Sequence, residues 1–217
     1  LAFRQFGTGP HLVLALRFRG VMDSWDPAFL DALARDFKRL EKDFPPPART
    51  LRDAHPKQHG LVKAEFTVLE DIDNKYKIGL FAEPHTYQSW IRFSNLNGGG
   101  EPDIAKDSRG MAIKLMGVKG KKILAGEENA PTQDFVFMST SIFVTKGVKG
   151  FAKLLKAVNS GKVCAGLHFL THPRLLKLFM KIRIQVASLF DIEWGSTTPY
   201  LLGDKAVKYA VLPTQAS

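Results

Sequence analysis

The chain has 217 residues, 45% of them apolar, which excludes a disordered polypeptide and leaves room for one large domain or two small ones. Lysine and arginine number 31 against 21 acids, a formal charge of +10. An acidic ligand is therefore expected, whether nucleic acid, an anionic membrane face or a carboxylate-bearing small molecule. Cys164 is the sole cysteine, which rules out an intrachain disulfide and a multi-cysteine zinc site.

Leu1 is not an initiator methionine, and no basic segment with a small-residue cleavage site precedes the short apolar run from His11 to Leu16. The start reads as processed, trimmed or unseen, and the compartment stays open with a lean to the cytoplasm. From Ser24 or Asp26 to Phe44, apolar residues recur at three and four positions (Phe29, Leu30, Leu33, Phe37, Leu40, Phe44), predicting an amphipathic helix. Pro27 suits its first turn and Pro45-Pro46-Pro47 ends it. Residues 1–50 thus read as an N-terminal helical arm.

Beyond Gly60 the period changes to two: Val62, Ala64, Phe66 and Val68 alternate with Lys63, Glu65 and Thr67, a strand with one buried face. Ser89–Phe93, Met111–Met116 and Asp134–Val144 read as further strands, separated by glycine-rich turns. Strands at this spacing predict a barrel or sandwich in preference to a parallel α/β sheet. Helical periodicity returns over Val148–Val158 and His172–Phe190, and Ala206–Leu212 alternates as a last strand. Arg174, Lys177, Lys181 and Arg183 interrupt the longest apolar stretch, so no membrane-spanning helix is expected. The basic face they form reads as solvated, with a membrane-surface role as the alternative. The 51–217 segment is read as one domain with a helical insertion at about 148–190.

Metal-ligand and nucleophile constellations are sparse in the sequence. His55 and His59 are four apart, but Pro56 and Gly60 argue against the helix that would put both imidazoles on one face. There is no HExxH, Gly147-Val148-Lys149-Gly150 lacks the rest of a phosphate loop, and no nucleic-acid-binding signature organises the lysines. No specific nucleic acid is expected as a partner.

Three stretches carry more: Leu51-Arg52-Asp53-Ala54-His55-Pro56-Lys57-Gln58-His59-Gly60, Trp90-Ile91-Arg92-Phe93-Ser94, and Asp107-Ser108-Arg109-Gly110-Met111-Ala112-Ile113-Lys114, followed by Thr132-Gln133-Asp134-Phe135. Over roughly residues 50 to 150 the chain resembles the catalase superfamily, and is most similar to the short bacterial catalase-related haem peroxidases. The resemblance implies an α+β fold, an antiparallel β-barrel of catalase-like type with flanking helices, and haem b as cofactor. It implies that His55, three residues after Arg52, is the acid–base that takes a proton from the peroxide and returns it to the leaving oxygen, a task suited to an imidazole. It implies that Ser94 orients His55, that Arg52 and Arg92 pair with the haem propionates through planar guanidinium forks, and that Phe151 stacks on the macrocycle.

The chain departs from the pattern in two places. Where catalases carry a distal asparagine, it has Met138-Ser139-Thr140-Ser141; Ser139 is the expected occupant, and its shorter hydroxyl argues for peroxidase turnover or hydroperoxide rearrangement over rapid dismutation. The family ligates iron through a tyrosinate that follows an arginine by four, and none of Tyr76, Tyr87, Tyr200 or Tyr209 does so. The barrel is therefore expected to be incomplete at its C-terminus, either as part of a longer protein or as a truncated relative. The expected function is a haem-dependent peroxidase-type oxidoreductase acting on hydrogen peroxide or an organic hydroperoxide. The alternative is a catalase-like scaffold without haem, a basic subunit that docks an acidic protein or membrane surface near Lys177–Arg183. An oligomer covering the open barrel edge is a further expectation.

Overall fold

A computed structural model describes residues 55–96, 102–123 and 126–214. The expected helix before the triproline, and Arg52, lie outside the described residues. The chain divides into two units, one taking residues 1–51, 122–128 and 144–181 and the other 52–121, 129–143 and 182–217.

The second unit is built on a six-stranded sheet from β1 (Gln58–Val68), β2 (His85–Asn95), β3 (Arg109–Met116), β4 (Thr132–Met138), β5 (Trp194–Gly195) and β8 (Ala210–Val211), in that spatial order. All its pairings are antiparallel. Register places Val62 beside Ile91, Ile91 beside Ile113 and Ile113 beside Phe135, so the alternate residues read from the sequence do share one face. That face packs Phe93, Met111, Leu115 and Phe137 with Val118, Ile192 and Trp194 in one buried cluster. Aromatic stacking completes it: Phe66 lies over Phe135 at 5.8 Å, and Tyr209 meets the Phe135 ring edge-on at 5.2 Å.

Among the described residues the sheet is antiparallel and open, with β1 at one margin and β8 at the other, in keeping with the incomplete barrel expected; β5 and β8 are two residues each and pair over that length only. Several finer expectations are corrected. The fourth strand ends at Met138, not Val144. There Thr140 Oγ1 accepts from the Ile142 N–H at 3.1 Å, a local bond that competes with the ladder. The 140–141 backbone also crosses Gly195 so closely that a Cβ there would lie 2.6 Å from Ser141 Cα. The expected final strand is split. Leu201 and Ala206 pair in the hairpin of β6 (Tyr200–Leu202) and β7 (Lys205–Val207), turning at Gly203 with φ 61°, whereas Ala210 returns to Gly195.

The helical unit contains α1 (Val148–Asn159), α2 (Lys162–Thr171) and α3 (Pro173–Ile182). Gly161, at φ 104°, separates the first two, and Pro173 opens the third, where its missing N–H costs nothing. The helix expected over His172–Phe190 stops at Ile182 because Ile184 is captured by Asp107: the two exchange backbone hydrogen bonds of 2.9 and 3.0 Å. Tertiary pairing overrides a helical pattern here. Among the described residues, no helix is long and apolar enough to cross a membrane.

Candidate functional site

His55 lies just before β1 and takes a positive φ of 57°, shared among described non-glycine residues only by Thr197. Its N–H donates to the Leu96 carbonyl at 3.1 Å. Arg92, on β2, donates from Nη2 to the His55 carbonyl at 2.9 Å and reaches that of Pro56 at 3.5 Å. The imidazole is held at its other end: Nδ1 lies 3.1 Å from Ser94 Oγ, and that hydroxyl also reaches the Gly110 carbonyl at 3.5 Å.

Gly110 makes the ring's position available. A Cβ on it would stand 2.6 Å from both Cε1 and Nδ1 of His55 and 3.0 Å from Ser94 Oγ. Those are distances real Cβ atoms do not reach, so only glycine fits beneath the ring.

Ser94 pairs with Gly110 across β2 and β3, and on the same face the next row is Leu61, Arg92, Ala112 and Val136. This face is opposite the core. Leu61 is 50% and Val136 56% exposed, so small and apolar side chains line a pleated, accessible surface that begins at His55.

The residues with inward parity form a different group. Arg109 is fully buried and donates from Nη2 to the carbonyls of Asp103 and Ala105 at 2.7 and 2.6 Å, and from Nη1 to Asn95 Oδ1 and to His59 Nε2, the latter at 3.0 Å. His59 also meets Asn95 Oδ1 and lies 3.2 Å from the Asp103 carboxylate. The Lys57 ammonium, 2.7 Å from Asp103, and then His59 hold that carboxyl below the ordinary carboxylate range. His59 reaches this cluster because the register slips by one residue between Gln58 and Gly60, a bulge that re-aims it. Asn95 Nδ2, Arg109 Nε and Ser108 Oγ are buried without a hydrogen-bond partner.

The structure thus brings His55, Ser94 and Arg92 together. Ser139 accepts from the Arg109 N–H at 3.0 Å and returns its own N–H to the Arg109 carbonyl at 2.9 Å, making no hydrogen bond to His55. Phe151 is half-buried on α1, in the helical unit. Tyr209 packs in the core of the sheet unit. Among the described residues, no three His, Cys, Asp or Glu side chains are grouped to hold a metal ion. Sequence reasoning gave Arg109 and Asn95 no role. The alternation that marks Met111, Ile113 and Leu115 as inward, carried two residues further back, reaches Arg109; carried forward from Ile91 and Phe93, it reaches Asn95.

No family model matches the chain. A catalase-related peroxidase from Mycolicibacterium paratuberculosis is 34% identical over 126 residues, covering 54% of this chain and 35% of that protein. A crystal structure of a fungal catalase superposes with a TM-score of 0.53 at 18% identity, covering 89% of this chain and 37% of the catalase. The resemblance to the catalase superfamily holds in sequence and in fold. The chain spans about a third of the length of both proteins, 35% of one and 37% of the other. The stretch that superposes extends well beyond the motifs, so the catalase-like likeness covers the sheet as well as the residues that suggested it.

Proposed function

We propose that the chain serves a haem-dependent peroxidase-type oxidoreductase acting on hydrogen peroxide or an organic hydroperoxide. The observation that carries this reading is the His55 imidazole held by Ser94 over the Cβ-free surface of Gly110. A flat macrocycle fits the adjoining face: Ala112, Leu61 and Val136 offer a low apolar wall, and Arg92 adds a cation at its margin. Arg92, with Arg52, would pair the propionates; a guanidinium has five N–H donors, so it can also hold a backbone carbonyl. When bound, haem supplies the redox chemistry of the peroxide O–O bond.

The chain's own residues would manage protons. With the Ser94 hydroxyl directed to the Gly110 carbonyl, its oxygen accepts from His55 Nδ1–H. That tautomer leaves Nε2 with its lone pair, ready to take a proton from a peroxide and return it to the departing oxygen. Ser139, engaged with Arg109, supports the wall in place of an asparagine, which favours peroxidase turnover over dismutation.

The test is purified protein supplied with haem. A Soret band is expected, and His55→Ala should keep the band while slowing peroxide consumption roughly 10²–10⁴-fold. A wild-type rate in His55→Ala would refute the assignment.

A second reading is favoured by residues 144–181, where seven lysines and one arginine meet no acid, and by Val163, Leu167 and Leu170, 77%, 58% and 74% exposed on one side of α2. In it the chain is a basic subunit without haem that docks an anionic membrane or acidic protein. Salt-sensitive sedimentation with anionic vesicles, together with no haem uptake, would support it.

A further inference from the structure

We propose that Arg92 is a positioning residue, a latch that holds the His55 backbone in its left-handed conformation and so sets the imidazole over Gly110. A residue with a Cβ resists positive φ, and one that precedes proline, as His55 precedes Pro56, is steered further toward extended backbone. Such a conformation persists only where its surroundings over-determine it. At His55 they do. The guanidinium donates to the carbonyl at 2.9 Å and reaches the next one at 3.5 Å, and charge-assisted bonds of this kind are stronger than neutral ones. The His55 N–H is taken by Leu96 at 3.1 Å. The ring end is fixed by Ser94 at 3.1 Å. Gly110 closes the arrangement, because any Cβ there would displace the ring. Arg92 and Ser94 are two residues apart on one face of β2, so a single strand grips the backbone of His55 with one side chain and its ring with the other.

The latch rests on the acid–base reading of His55 for its catalytic meaning, but it is a property of the chain without cofactor. It is therefore tested in haem-free protein, where propionate pairing cannot contribute. Ring-nitrogen NMR of His55 is expected to show one tautomer in the parent. In Arg92→Gln that signature should give way to a mixture, and diethyl pyrocarbonate should modify His55 at least several-fold faster, with His85 and His172 unchanged. Arg92→Lys, which keeps the charge and much of the bulk, should lie between the two and serves if the glutamine variant does not fold. Gly110→Ala should produce the same loss from the ring side. Parent-like His55 spectra and reactivity in both Arg92 variants would overturn the proposal and leave Arg92 a carboxylate partner only. An active His55→Ala enzyme would instead refute the acid–base reading and leave the latch standing.

Discussion

At the scale of single residues, the chain solves a packing problem with two side chains of the same type. Arg92 faces away from the core and organises the loop that carries His55, whereas Arg109 faces into it and organises the loop that carries Asp103 and Ala105. The two differ in what their loss would do. Replacing Arg109 with Met leaves Asn95 and His59 without their shared donor in a buried setting, so a stability loss of roughly 3 kcal/mol is expected from urea unfolding midpoints. Arg92 is partly exposed, so its replacement should cost less stability than that of Arg109 while disturbing His55 more.

The core gives a second contrast. Leu115 is fully buried and Val136 is 56% exposed on the opposite face. Leu115→Ala should cost roughly 2–5 kcal/mol through lost burial and the cavity left behind, while Val136→Ala should remain within about 0.5 kcal/mol. Paired denaturation curves measure both. A large effect at Val136 would mean that the accessible face is covered in the protein as purified.

At the scale of elements, titration should be felt at the corner of α2 and α3. His168 and His172 stack with ring centroids 4.2 Å apart. Partial burial, followed by repulsion from His172 and Lys153, pushes the His168 pKa below its ordinary 6.5. The unfolded chain then binds more protons than the folded one as pH falls through that value, so the contribution to stability is complete above about pH 6.5 and lost on acidification toward the folded pKa. Amide protection factors in α2 and α3, with the intrinsic pH dependence of exchange divided out, should fall between pH 7.5 and 5, and less so in His172→Gln.

How much of this could be read beforehand varies by element. The strand through Val62 was legible because one face is buried and the other is not, so its period of two is clean; those through Ile91, Ile113 and Phe135 were marked by short apolar runs between glycine-rich turns. The pairing of His55 with Ser94 was reachable through the ordered motifs and the family likeness, since no local pattern joins positions 39 apart. The bulge at His59 left no mark in composition, as it arises from a register set by β2. The end of α3 was hidden for a similar reason: the apolar spacing continues past Ile182, and only Asp107, far away in sequence, draws Ile184 into extended pairing. Ser196 and Tyr209 show the same effect on the last strand, exchanging the bonds that bring β8 to β5.

At the scale of the whole molecule, both comparisons give the chain a place in about a third of a larger relative's length, and the candidate site uses one wall only. The sheet has His55 at one end of its accessible face, the row of Leu61, Arg92, Ala112 and Val136 beyond it, and a dense apolar layer behind. That layer fixes the wall, so chemistry on the accessible face can change without disturbing what lies beneath.

The margin at β1 has its own consequence. Among the described residues this 11-residue strand is bonded along a single flank, which leaves alternate amides of its other flank as a row that a foreign strand can read as a template. Lys63 and Glu65, carried outward in its middle, put opposite charges in that path, and an intruder must match both to zip along it. Fast deuterium uptake at alternate positions of β1, slowed when a strand docks there, is the trace such a seam would leave.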